Sequence, residues 1–139
     1  MAFLIHAVKD GHGLPFKNLP IGDGTYKAGD ALVFVSSVLE KVSTGSGQDT
    51  DEGAHYIAMF EGTVATSGST DYPVVRAADD NVIWETTLAA EDDDIAAGLK
   101  YLIHTDGAQH NGGTTNGVLE VIDFDGIAAG DRVRVRFAE

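Results

Sequence analysis

His104, Asp106 and His110 lie close together in the chain, and imidazole with carboxylate is a donor set for zinc or a similar ion. Their spacing fits no established metal motif, and the glycine-rich run around them (TDGAQHNGGTTN) marks a loop, so plain loop polarity is the simpler account and no metal is expected. Asp49, Asp51 and Gly53 open like a calcium loop. That motif wants an acid or amide at the fifth position, Gly at the sixth and a bidentate Glu at the twelfth; here Gly53 takes the fifth and Phe60 the twelfth. Asp92, Asp93 and Asp94 are adjacent, so they cannot all face one site from a helix or strand, and a solvated turn is expected. Ser46 sits between two glycines without the apolar strand before it and helix after it that a nucleophile elbow requires. A hydrolase could be built on His104, Asp106 and Asp125 only if those groups converged in a cleft. The glycine clusters lack the Lys-Ser/Thr of a phosphate loop. No catalytic residue, metal ligand or cofactor is therefore assigned.

The remaining charged pattern is the ladder Arg132, Arg134 and Arg136, and it leads to the element that must carry it. Val133, Val135 and Phe137 alternate with the arginines, which is the period of a half-buried strand and of no helix. Before it, GVLEVIDF is apolar on both faces, with Val118, Ile122 and Phe124 on one side and Leu119 and Val121 on the other, and DGIAAG joins the two as a hairpin loop. The arginines are expected to pair with the chain's own acids, such as Glu120 across the hairpin. The turn Ala129-Gly130-Asp131 has relatives in Ala28-Gly29-Asp30 and Ala97-Gly98, each followed by an apolar run. Glycine accepts positive φ there, so the same turn chemistry is expected three times, at intervals too unequal for a structural repeat.

Further apolar segments read as strands over residues 2–8, 31–36, 38–42, 55–61, 73–77, 81–86 and 99–104, separated by polar, glycine-rich loops. Ala31–Ser36 is apolar on both faces and is expected between layers. Trp84, the single tryptophan, is expected to be buried, and Thr87–Ala97 is the one candidate helix, of one or two turns at most. Residues 1–25 form a first strand and a Gly/Pro-rich arm in which Leu14, Phe16, Leu19 and Ile21 could pack on something; residues 26–139 form the β domain. The expectation is all-β: a small single-domain sandwich or barrel of short antiparallel strands, with an irregular N-terminal arm and at most one short helix.

A chain of 139 residues, 43% hydrophobic, fits one core. It has no cysteine, which excludes disulfides and thiol chemistry. The net charge of −13 is concentrated in residues 49–94, where twelve acids face the one base Arg76; a field of that sign repels phosphate, so no nucleic acid partner is expected. The apolar run Ala2–Val8 is too short for a signal peptide or membrane span, and a soluble product released in the cytoplasm of whatever cell makes it is expected.

The order of AGDALVFV, YPVVRAADDNVIWETTL, AAGLKYLIHTDG and GVLEVIDFDGIAAGDRVRVRFA, behind a glycine-rich N-terminal arm, resembles the head decoration proteins of tailed phages, also called auxiliary or cement proteins. The resemblance covers residues 26–138 and carries no catalytic signature. It implies a virion protein on the outer capsid surface, homo-oligomeric with a trimer favoured, that binds the major capsid protein and locks its neighbouring subunits together. Leu14, Phe16, Leu19 and Ile21 are then the candidate capsid contacts, and an arm that touches only the shell could be removed with the fold intact. The alternative is a ligand-binding β module, for instance one recognising carbohydrate, with Trp84 or Tyr72 as a stacking platform; exposure of Trp84 separates the two.

Overall fold

A computed structural model describes residues 2–8, 16–43, 47–49, 53–79, 82–107, 109–111, 113–114 and 116–138. Among them the chain forms strands β1 (Leu4–Val8), β2 (Lys17–Pro20), β3 (Gly24–Tyr26), β4 (Ala31–Val35), β5 (Val38–Lys41), β6 (His55–Ala58) and β7 (Gly62–Val64). There follow β8 (Asp71–Arg76), β9 (Val82–Thr87), β10 (Lys100–Ile103), β11 (His110–Asn111), β12 (Leu119–Phe124) and β13 (Arg132–Phe137). They pair antiparallel into a six-stranded sheet, β1-β9-β13-β12-β10-β11, a five-stranded sheet, β2-β8-β6-β4-β5, and a small β3-β7 pair.

The fold is an all-β sandwich with a partial third layer. Trp84, Tyr101, Leu119, Val121, Val133, Val135 and Phe137 of the large sheet meet Ala31, Val33 and Ile57 of the second sheet in the main core. The opposite face of that second sheet places Leu32, Tyr56, Ala58, Tyr72 and Val74 against Tyr26 and Val64 of the small pair, with Ile21 and Leu39. This is why β4 is apolar on both faces: Leu32 serves one core and Val33 the other. Phe34 lies beyond the small pair's cover and stays exposed, its ring edge-on to Tyr56.

The terminal hairpin forms as its alternation requires, with Val133, Val135 and Phe137 buried. In β12 the expected division of faces fails part-way. Val121 pairs Val135, but Asp123 already pairs Arg134 and Phe124 pairs Val133, so β12 spends one extra residue in a bulge around Ile122. The bulge switches parity: Phe124, itself half-buried, packs against the main core on the side of Leu119 and Val121, and Ile122 does not join that core.

All three recurring turns hold glycine at positive φ, 92° at Gly29, 85° at Gly98 and 86° at Gly130. Two of them share a second device. The Asp30 carboxylate accepts the Lys27 N–H at 2.9 Å while the Asp30 N–H donates to the Lys27 carbonyl, and Asp131 repeats this on Ala128.

The candidate helix does not form. Thr87 ends β9, and Asp92 Oδ1 accepts the Asp94 N–H at 3.2 Å, a local bond that competes with helix, before Gly98 reverses the chain. The described part of residues 1–25 is stitched into the sandwich: β1 and β2 are edge strands of the two large sheets, β3 belongs to the outer pair, and Phe3 is buried in the main core.

Candidate functional site

The exposed apolar groups of the N-terminal segment gather at open sheet edges. β1 bonds only to β9 and leaves its other edge without a described strand, with Leu4 and Ile5 exposed. Beneath it is a cavity of about 140 Å³ lined chiefly by Phe3, Leu4, Ile5, Ile57, Met59 and Trp84. β2 closes the second sheet in the same way, bonding only to β8.

The four candidate contacts divide. Phe16, just ahead of β2, is 58% exposed. Leu19 is half-buried against the outer core, because β2 pairs it with Tyr72 and so turns it inward. Ile21 is 0% exposed, bridged to Leu39 and packed in the same core, where it supports the edge from within. Leu14 lies outside the described residues. Leu4 and Ile5, which the sequence reading left in an ordinary first strand, are exposed beside the groove; the signal that could have found them is a short apolar strand interrupted by His6, typical of an edge with both faces open.

Two arginines of the ladder are taken up by the chain's own acids, Arg134 above all. Its guanidinium bonds Asp123 and Asp125, the latter at 2.6 Å, and reaches Glu85 at 3.5 Å. These bonds hold the Asp125 carboxyl below its ordinary value and push Arg134 further up. Arg132 also faces Glu85, at 3.8 Å, and His6 approaches the same carboxylate at 3.3 Å. Glu120 stands opposite Arg136 in the register, but the carboxylates bonded to the ladder are Glu85, Asp123 and Asp125.

The groups considered for metal or hydrolytic chemistry are scattered. His110 is 1% exposed and packs tilted against Tyr101 with ring centroids 4.4 Å apart, while His104 is half-buried at the start of the β10–β11 turn. Asp125 belongs to the β12–β13 loop, at the opposite end of β12 from that turn, and is bound by Arg134. Among the described residues no three His, Asp or Glu side chains assemble as a metal site. Asp49 bridges to Gly117, and Asp51 and Ser46 lie outside the described residues. Trp84 is 1% exposed with its indole N–H donated to the Ala77 carbonyl at 3.0 Å, and Tyr72 is buried with its hydroxyl on the Phe60 carbonyl. Neither ring is free to stack on a sugar. No helix is long and apolar enough to cross a membrane among the described residues.

The chain matches no known protein-family model, and no curated protein matches it.

Proposed function

We propose that this is a structural protein of a tailed-phage virion, which binds the outer capsid surface and holds neighbouring major capsid subunits together. The observation that carries the reading is the exposed edge β1, with Leu4 and Ile5 beside an apolar groove. Such an edge is a template for pairing with another chain: backbone hydrogen bonds supply affinity, and pockets for alternate side chains supply register. Phe16 and Leu19 at the edge of the second sheet extend the contact set, with Ile21 as its buried support. The sequence phrases that resemble decoration proteins lie largely in the sandwich strands, so the resemblance and the exposed edges are separate supports. The partner is the major capsid protein, the working form a homo-oligomer with a trimer favoured, and the role needs no catalysis, cofactor, nucleic acid or membrane.

The test is to mix the purified protein with undecorated shells and image the product across a salt series. Arg132 and Arg134 are internally paired and the protein carries −13, so charge attraction is not the driving force. At about 0.15 M ionic strength the Debye length is roughly 8 Å and most repulsion from an acidic shell is screened. Occupancy is expected to hold or rise with salt. Bare shells at every salt concentration would overturn the reading, and steep loss with rising salt would move the contact from the apolar edges to the arginines.

A further inference from the structure

The loop between β9 and β10, residues 88–99, is pinned to the sandwich at several points. Leu88 bridges to His110, the Ala89 N–H donates to the His110 carbonyl at 3.1 Å, and the Asp92 N–H donates to the Ile127 carbonyl at 2.9 Å. Ile95 sits in the main core, and the Tyr101 hydroxyl donates to the Asp94 carbonyl at 3.3 Å. Three buried side-chain polar atoms lack a hydrogen-bond partner among the described residues; Arg136 Nε lies on β13, and the other two meet here, Asp92 Oδ2 in this well-anchored loop and His110 Nε2 in the strand it bridges. A buried polar atom without a partner is costly, so two of them where one loop meets one strand call for a reason.

The chemistry of the two groups supplies it. An ionised carboxylate only accepts, and Asp92 Oδ1 already takes the Asp94 N–H. A neutral imidazole can be buried against Tyr101 at modest cost, whereas an imidazolium there would have to be stripped of water. The titratable groups that face the ring are Asp92 from the loop and Tyr101 from β10, and only Asp92 carries charge to offset that loss. Burial outweighs the carboxylate, and the His110 pKa falls to about 4.

We propose that His110 and Asp92 form an acid-sensitive latch, in which the loop closes over neutral His110 and is released when His110 takes up a proton. The opened ring regains water and its ordinary affinity for a proton, near 6.5. Between there and about 4 the open form binds the proton and the closed form does not, so the opening equilibrium rises up to about tenfold per pH unit. Release uncovers Ile95 and Tyr101 while the β12–β13 hairpin stays paired.

Amide hydrogen exchange on the full chain, corrected for intrinsic rates from pH 7 to 4.5, tests this. The hydrogen-bonded amides of Ala89, Asp92 and Gly98 are expected to lose protection as pH falls, relative to that of Val135 in β13. His110→Phe, which keeps a ring of similar bulk without a titration, should flatten that profile, and Asp92→Asn, which removes the charge that partly offsets burial in the closed form, should carry the loss of protection on to lower pH. If His110→Phe fails to fold, the His110 ring titration followed by NMR in the native chain decides. Titration near 6.5 with the loop amides still protected would overturn the latch, as would an unchanged profile in the His110→Phe chain.

Discussion

The rings of Phe3 and Phe137 meet edge to face with centroids 5.2 Å apart, which ties the start of the chain to its last strand inside one core. Phe137 also meets Trp84 edge-on at 6.4 Å, so the three aromatic rings share one junction. Phe3→Ala is expected to cost about 3–5 kcal/mol, the range for truncating a buried aromatic side chain. Deleting residues 1–20 removes Phe3, β1 and β2 together, and is expected to give an aggregating chain without a cooperative melt, contrary to what a detachable arm would allow. Denaturant titration of the point variant and thermal melting of the truncated chain check the pair. A folded, cooperative truncation would show that the core closes without its first strands.

Much of this architecture was legible in the sequence because it rests on period and punctuation. The arginine alternation of β13, the two-faced apolarity of β4 and the repeated Ala-Gly turns each report a local constraint that tertiary structure had no reason to override. The elements that were missed lack such a signal. β2 reads KNLP, whose proline is tolerated because the strand lies on an edge, and β3 and β7 are three residues each, too short to show a period. The β12 bulge was invisible because a parity switch depends on the partner strand. The exposure of the candidate contacts was not legible for a related reason. Apolar type alone does not separate Phe16, exposed at an edge, from Ile21, which the β2 pairing and the bridge to Leu39 carry into the core.

The three turn glycines share a conformation but not an environment. A Cβ at Gly130 or Gly98 would meet nothing within 4 Å, whereas at Gly29 it would lie 2.5 Å from the Ala2 Cβ and 2.9 Å from the Phe3 carbonyl oxygen. Gly130→Ala is therefore expected to cost only the strain of positive φ, roughly 1–2 kcal/mol. Gly29→Ala should cost distinctly more, because β1 must also shift at the point where Phe3 enters the core. Thermal melts of the two variants give the order directly, and equal losses would mean that the start of β1 yields freely.

Arg134 and Arg132 sit on the same strand face with different consequences. The Arg134 side chain is 13% exposed and holds Asp123, Asp125 and Glu85, while that of Arg132 is 67% exposed with Glu85 alone. Because Asp123 and Asp125 are largely exposed, solvent screening limits the value of the network. Arg134→Ala is expected to cost about 1–2 kcal/mol, in line with charge-assisted bonds at a partly buried donor. Arg132→Ala should cost less than about 1 kcal/mol, as exposed pairs do. Urea melts at low and high salt check both, and the Arg134 loss should shrink as salt rises.

Three tyrosines make the fold sensitive to alkali. The hydroxyls of Tyr26, Tyr72 and Tyr101 donate to the backbone carbonyls of Gly22, Phe60 and Asp94. Burial is the main reason their pKa values are raised above 10.0, and nearby carboxylates add to it: Glu40 and Asp23 for Tyr26, Asp30 and Glu61 for Tyr72, Asp92 and Asp94 for Tyr101. The unfolded chain releases these protons near 10 and the folded chain only above it. Their contribution is therefore fully present below pH 10 and is lost as pH rises through the higher folded values. Tyrosinate absorbance and circular dichroism followed together are expected to show these three rings ionising only as the sheets melt, in one cooperative step. Replacing Tyr72 by Phe should remove one ionisation from that step and move the alkaline midpoint upward relative to the variant's own neutral stability. A gradual titration centred on 10 with the sheet signal intact would show that the three hydroxyls exchange their backbone partners for water without opening the fold.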